Sequence, residues 1–191
     1  MVLVFVATAF VPWAVAPALA GTDSTNVSRG RGPSGSPSCV VDASGTIHVA
    51  WTDRPEATDY AEQFVYYARS FDGATFEAPR RVSAGVDDGA RAREARIVAD
   101  LQGSVSIAWW ASVPGEDDRL VLTAFLVRSN DAGASFGPPV ASSLRFREDQ
   151  LGDRPLSVTT TLSLAAAPDG GVGLLASVPD YDRGYNIYFA S

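Results

Sequence analysis

Residues 70–76 read Ser-Phe-Asp-Gly-Ala-Thr-Phe, and residues 129–136 read Ser-Asn-Asp-Ala-Gly-Ala-Ser-Phe. The second stretch has the full pattern Ser-x-Asp-x-Gly-x-Ser-Phe, whereas the first lacks one residue between its Asp and its Gly. In both copies a proline follows the last Phe by three positions, at Pro79 and Pro139. Such a repeat predicts structural units that stack, because one small unit cannot bury its own apolar faces.

The sequence before each phrase also repeats. Residues 41–51 align without a gap on residues 99–109, and residues 168–176 form a third, more divergent copy. Each copy contains a Gly suited to a tight hairpin turn, followed by apolar residues at every second position, as at Ile47 and Val49. This alternation is the period of a β-strand. It predicts that Val49, Trp51, Ile107 and Trp109 are buried between neighbouring units.

The remaining parts of each unit also have strand character. Segments 64–70, 123–129 and 185–191 are rich in β-branched and aromatic residues, which predicts third strands. Segments 77–83 and 137–143 contain proline near their start, which predicts fourth strands at a sheet edge. The sequence therefore predicts an all-β fold of antiparallel four-stranded blades of the β-propeller type. The predicted blades comprise residues 37–94, 95–153 and 154–191.

Two and a half to three blades make an incomplete propeller, because known propellers have about four to eight. An open arc exposes two unpaired sheet faces, which aggregate or recruit a partner. The favoured explanation is a longer protein, since a third phrase would begin at Ser191. Self-association that supplies the missing blades, or a misread terminus, are the alternatives.

The repeated phrase resembles the Asp-box, or bacterial neuraminidase repeat, of sialidases and other secreted propellers. This resemblance implies that the box is the turn between the third and fourth strands of a blade. Its Asp and Ser/Thr would bond the backbone of the turn, which is ordinary turn chemistry, and its aromatic ring would pack into the blade. The box residues predicted to have this structural role are Ser70, Asp72, Gly73, Thr75, Phe76, Ser129, Asp131, Gly133, Ser135 and Phe136.

The resemblance also implies catalytic positions, and the sequence departs from them. Sialidases of this kind hold the substrate carboxylate with three arginines and use a Tyr nucleophile paired with a Glu, together with an Asp acid/base. Placing Pro37 on the proline that follows the first of these arginines puts Gly35 in the position of the arginine. Asp53-Arg54 followed by Asp59 resembles the acidic loop, so Asp59 is the candidate acid. The prediction leans against an enzyme.

The first twenty residues form a separate segment. Residues 1–20 carry no charge and end in Ala18-Leu19-Ala20, which predicts a cleaved secretory signal peptide and a secreted or periplasmic protein. A retained membrane anchor is the alternative. Residues 21–36 are predicted to be a linker or a closing strand.

Composition restricts the partners and cofactors. The net charge of −7 argues against nucleic acid, since phosphate binding requires clustered cations. The single histidine, His48, excludes a multi-His zinc site within the chain, and we predict no metal and no cofactor. His48 is predicted to be a hydrogen-bonded strand residue, and Cys39, the only cysteine, a small buried apolar residue. The arginines at 80–81 and 91–96 are predicted to lie in solvated loops.

Three functions follow from these observations. The leading prediction is a secreted, non-catalytic propeller module that binds a glycan or a cell-surface protein. The second is part of an exo-sialidase or related glycoside hydrolase, and the third is an architectural module of a cell-surface protein. The sequence does not name a ligand.

Overall fold

The computed structural model describes residues 24–30, 32–54, 63–86, 91–115, 119–147, 160–180 and 184–191. This part of the chain contains eleven strands and no helix. The strands are β1 (Ser34–Val41), β2 (Ile47–Asp53), β3 (Phe64–Ser70), β4 (Arg80–Arg81), β5 (Arg91–Ala99), β6 (Val105–Pro114), β7 (Leu120–Ser129), β8 (Val140–Arg147), β9 (Thr161–Ala166), β10 (Val172–Asp180) and β11 (Gly184–Ala190).

The strands form three antiparallel sheets, which we call blades 1, 2 and 3. Their strand orders are β1-β2-β3-β4, β5-β6-β7-β8 and β11-β10-β9. Blades 1 and 2 therefore have the same strand order, as the repeat predicts. The first strands lie next to one another, since β1 contacts β5 and β5 contacts β9. This arrangement confirms the predicted all-β fold of propeller type.

The first strand of a blade begins earlier than the sequence predicts. β1 begins at Ser34 rather than residue 37, and β5 begins at Arg91 rather than residue 95. A β-bulge interrupts both strands, where Ser36 and Glu94 have φ angles of 48° and 52°. Because a bulge adds one residue to a strand, it shifts the alternation of side chains and conceals the first half of the strand in the sequence.

Two apolar cores join the blades. The first joins Ala50 of blade 1 to Ile107 and Trp109 of blade 2. The second joins Trp110 of blade 2 to Leu174 of blade 3. Alternate side chains of β6 thus enter different cores, which explains why almost the whole strand is buried. We call the face of a blade that packs on the next blade in sequence its forward face, and the opposite face its reverse face.

Burial departs from the prediction on the reverse face of blade 1. Ile107 and Trp109 are buried between blades 1 and 2 as predicted, whereas Val49 is only half-buried. Trp51 is buried, but it lies on the reverse face of blade 1 and not against blade 2. Cys39, predicted to be buried, is exposed. Val49 and Cys39 pair across β1 and β2 on the reverse face, which no blade covers in the described part of the chain. The alternation gives the side of the sheet correctly but not whether that side is covered.

Both copies of the repeated phrase form turns between the third and fourth strands of their blades, and we call them the repeat turns. In blade 1, Asp72 Oδ1 accepts the N–H groups of Ala74 at 2.9 Å and Thr75 at 2.7 Å. Hydrogen bonds from the backbone of Thr75 and Ala74 lower the pKa of Asp72 to about 2. The carboxylate is therefore ionised at neutral pH and accepts bonds from the N–H groups of its own turn.

The turn of blade 2 carries more hydrogen bonds. Asp131 Oδ1 accepts the Ser135 N–H at 2.8 Å and the Ser129 hydroxyl at 2.6 Å, and Oδ2 accepts the Ser135 hydroxyl at 2.6 Å. The Ser129 and Ser135 hydroxyls lower the pKa of Asp131. The Phe136 ring packs edge-on against Tyr67 of blade 1, with 4.9 Å between ring centroids. This turn thus contacts the preceding blade.

Asp131→Ala is expected to lower the melting temperature, because the N–H and hydroxyl of Ser135 and the hydroxyl of Ser129 lose their acceptor. Asp169→Ala is the matched control, since Asp169 is exposed and accepts one turn N–H, that of Gly171. Thermal unfolding followed by circular dichroism measures both variants. Equal melting temperatures for the two would contradict a special role of Asp131 in the turn.

Candidate functional site

The antiparallel connections divide each blade into two ends. The repeat turns lie at the end that also carries the hairpins between first and second strands. At the opposite end β2 ends at Asp53 and β5 begins at Arg91, and we call this the loop end. Asp59, the predicted acid, and the predicted signal peptide at 1–20 lie outside the described residues.

Asp53 is a buried carboxylate at the loop end of blade 1. Its side chain is on the reverse face, where Oδ2 accepts a hydrogen bond from the Trp51 indole at 3.4 Å. Gly30 lies so close that a Cβ at this position would be 2.8 Å from Oδ2. Oδ1 is buried and has no hydrogen-bond partner in the described structure. A buried carboxylate oxygen without a donor is costly, so Asp53 is a candidate functional residue.

The position that the resemblance assigns to the first carboxylate-binding arginine is Gly35, which has no side chain. The Gly35 carbonyl accepts the Thr52 hydroxyl at 3.0 Å, and the same hydroxyl oxygen accepts the Gln63 amide at 2.9 Å. In blade 2 the residue before the bulge is Arg93, which pairs with Trp110 as Gly35 pairs with Thr52. The guanidinium missing at residue 35 thus has a counterpart one blade later.

The arginines at 91–96 do not lie in a solvated loop as predicted. Arg91, Arg93 and Arg96 are half-buried on β5, the first strand of blade 2. Arg91 pairs with Ser112 and Arg93 with Trp110, so both arginines share the forward face with Trp110. The prediction was wrong because the bulge at Glu94 hides the strand alternation.

Arg96 and Glu94 join blade 2 to blade 3. Arg96 Nε donates to the Leu162 carbonyl at 2.8 Å, and Glu94 Oε2 accepts the Leu162 N–H at 2.9 Å. Both backbone groups of one residue of β9 are therefore bound by side chains of β5. These two hydrogen bonds hold β5 and β9, the first strands of blades 2 and 3, against each other.

Three other polar atoms at the loop end of blade 2 make no such hydrogen bond. Arg91 Nε, Trp110 Nε1 and Ser112 Oγ are buried without a hydrogen-bond partner in the described structure. Buried polar atoms nearly always have a partner, so these three atoms require water or a ligand. Arginine and tryptophan nitrogens only donate, and a carboxylate has only acceptors. The forward face of blade 2 at the loop end is thus suited to an anionic, acceptor-rich group.

The arginines at 80–81 form β4, the edge strand of blade 1, so the prediction of a solvated loop is wrong for them as well. Arg80 donates to the Ala134 carbonyl at 2.5 Å and to the Gly133 carbonyl, both in the repeat turn of blade 2. The Arg81 guanidinium carbon lies 3.5 Å from the centre of the Phe64 ring. Arg80 therefore connects blades 1 and 2. A cleft of about 300 Å³ lies beside this contact, lined by residues that include Arg80, Arg81, Phe136 and Pro139.

Within the described ranges, no three His, Cys, Asp or Glu residues are grouped closely enough to bind a metal ion. Among the same residues, no helix is long and apolar enough to cross a bilayer.

Comparison with known proteins identifies the fold. No protein-family model and no curated protein sequence matches the chain. A Hadza microbial sialidase of solved structure matches with a TM-score of 0.59 and 19% identity, over 83% of this chain and 35% of that chain. An endo-arabinase from Bacteroides thetaiotaomicron VPI-5482 matches with a TM-score of 0.51 and 12% identity, over 88% of this chain and 59% of that chain. The chain therefore spans about a third of the first protein and has the propeller-type blade fold that these glycoside hydrolases share.

Proposed function

We propose that the chain is an exported, non-catalytic propeller module, and that the loop end of its blade 2 binds glycans that carry a carboxylate. The observation that carries the proposal is the set of buried donor atoms on Arg91, Trp110 and Ser112. Arg91 is only half-buried, so a ligand can reach its guanidinium from the loop end. Hydrogen bonds from a guanidinium to a carboxylate are roughly twice as strong as neutral ones.

Two further arguments support a glycan. The structural neighbours include a sialidase and an endo-arabinase, whose names place both among proteins that act on carbohydrates. A guanidinium presents a planar fork that matches the two oxygens of a carboxylate, whereas an ammonium does not. Acidic sugars offer this carboxylate on an otherwise polar ring.

The proposal is tested by glycan binding of the wild type and three variants. Arg91→Ala is expected to weaken binding of acidic glycans about tenfold or more, in line with the loss of a charge-assisted contact. Arg91→Lys is expected to recover only part of the affinity. Arg145→Ala removes the same charge from an exposed position on β8 and is expected to bind as the wild type does. Equal binding by Arg91→Ala and Arg145→Ala, or a preference for neutral glycans, would refute the proposal.

Glycoside hydrolysis is the second candidate function, and Asp53 favours it. Its buried Oδ1 has no partner, and acid/base carboxyls depend on such surroundings. We nevertheless expect no turnover of a fluorogenic sialoside, because Gly35 supplies no guanidinium at the position of the first arginine. Turnover that disappears in Asp53→Asn or Asp59→Asn would establish the enzyme instead. An architectural module would bind no glycan and cleave none.

A further inference from the structure

Blade 3 exposes an apolar forward face. Leu175, Tyr185, Ile187 and Phe189 are 43%, 54%, 64% and 67% exposed. Leu175 pairs with Phe189, and the strand alternation places Tyr185 and Ile187 on the same side. The other side of this sheet, with Leu174, is buried against blade 2. Four large apolar side chains on one exposed face mark an interaction surface.

The same positions are covered in the other two blades. Leu175 pairs with Phe189 as Ala108 pairs with Leu126 in blade 2 and as Ala50 pairs with Tyr67 in blade 1. Blade 3 packs on the blade 2 pair, and blade 2 packs on the blade 1 pair. The forward face of a blade in this protein is therefore a surface that receives the reverse face of another blade.

Blade 1 offers such a reverse face. Cys39 and Val41 are exposed, and Ile47 and Val49 are only half-buried. Their counterparts in blade 2 pack against blade 1, and these are Ile97, Ala99, Val105 and Ile107. In the described part of the chain, the forward face of blade 3 is thus uncovered, and so is the half of the blade 1 reverse face next to the β1–β2 hairpin. The other half of that reverse face, with Trp51 and Asp53, is buried.

We propose that two copies of this chain associate so that the forward face of blade 3 of each copy packs on the reverse face of blade 1 of the other. The contact repeats the one that joins blades 1 and 2 and blades 2 and 3, so it requires no new kind of packing. A contact between two different faces closes into a ring when the rotation fits. Two copies of the three described blades provide six, which is within the range of about four to eight in known propellers.

Sedimentation of the purified chain tests the association. The wild type is expected at twice the monomer mass, and Ile187→Arg and Val41→Arg are each expected to lose the dimer. Both side chains are exposed, so the blades themselves are expected to keep their far-ultraviolet circular dichroism spectrum. Leu101→Arg is the matched control, because Leu101 is 75% exposed in the hairpin turn between β5 and β6 and lies on neither face. If the dimer were joined through blade 3 alone, Val41→Arg would leave it intact, and this result would overturn the proposal.

Two further readouts come from the asymmetry of the contact. Mixing the Ile187→Arg chain with the Val41→Arg chain is expected to restore a dimer, because one unaltered pair of faces remains. Cys39 is the only cysteine, so a thiol reagent reports on the reverse face of blade 1 directly. Its labelling is expected to be slower in the wild type than in Ile187→Arg. A monomeric wild type would refute the proposal, and this is the result expected if further blades of a longer chain cover both faces. Equal rates of Cys39 labelling in the wild type and in Ile187→Arg would also refute it.

Discussion

Gly133→Ala is expected to destabilise the protein far more than Gly103→Ala, although both glycines have nearly the same backbone conformation. Their φ angles are 77° and 83°, so an alanine carries a similar strain of about 1–2 kcal/mol at either site. A Cβ at residue 103 would meet nothing within 4 Å. A Cβ at residue 133 would lie 1.9 Å from Tyr67 Oη and 2.8 Å from the adjoining ring carbon. Since Tyr67 is buried between two blades, the overlap should add about 1–3 kcal/mol or more.

Urea denaturation of the two variants measures the difference in the free energy of unfolding. Tyr67→Phe supplies a second check, because it removes the hydroxyl that the new Cβ would overlap. In the Gly133→Ala background, Tyr67→Phe should cost less than in the wild type, which is a coupling between contacting residues. Equal destabilisation by Gly133→Ala and Gly103→Ala would show that the repeat turn of blade 2 does not pack tightly on blade 1.

The order of strands could be predicted because it depends on local sequence. The hairpin glycines Gly45 and Gly103 both have positive φ angles, and the third strand Phe64–Ser70 has the predicted bounds. A turn residue and an alternating strand next to it specify a hairpin without reference to the rest of the chain. When such a unit recurs, the recurrence gives the sheet order of the second copy as well.

The site could not be predicted in the same way, because it depends on a bulge and on neighbouring blades. The bulge at Glu94 reverses which side of β5 its arginines face, and the sequence contains no strong signal for it. A positive φ at a non-glycine residue is uncommon, so the sequence gives no reason to expect a bulge at Glu94. Exposure of Cys39 depends on whether another blade covers its face, which is a non-local property. Both first strands carry the bulge at equivalent positions, so aligning the two copies does not reveal it.

His48, predicted to be a hydrogen-bonded strand residue, has a partner at each ring nitrogen. The ring is completely buried, with Nδ1 2.7 Å from Tyr67 Oη and Nε2 3.0 Å from Asp42 Oδ2. Burial raises the pKa of Tyr67, so its hydroxyl stays neutral and can donate to Nδ1. Asp42 Oδ1 also accepts the N–H groups of Ser44 and Thr46 in the β1–β2 hairpin, both at 2.9 Å. One histidine therefore connects a hairpin turn to the tyrosine that contacts the next blade.

His48→Leu is expected to destabilise the protein by about 2–4 kcal/mol, because Asp42 Oδ2 and Tyr67 Oη lose their partner inside the protein. Ser106→Ala is the matched control, since Ser106 is the buried counterpart of His48 in blade 2 and Asp100 there is paired with Arg128 instead. Urea denaturation at neutral pH should show a small effect for this control. Similar losses for the two variants would contradict the role of the histidine.

The difference in the free energy of unfolding between His48→Leu and the wild type is also expected to depend on pH. Burial raises the pKa of Asp42, but hydrogen bonds from Ser44, His48 and Thr46 outweigh it and lower the value from 3.8 to about 2. A carboxyl whose pKa is lower in the folded state contributes its full stability above the unfolded value and loses it as the pH falls through the folded value. The stability difference should therefore narrow between about pH 4 and pH 2, as the bond from His48 to an ionised Asp42 is lost. A constant difference across this range would show that the carboxylate of Asp42 does not carry the effect.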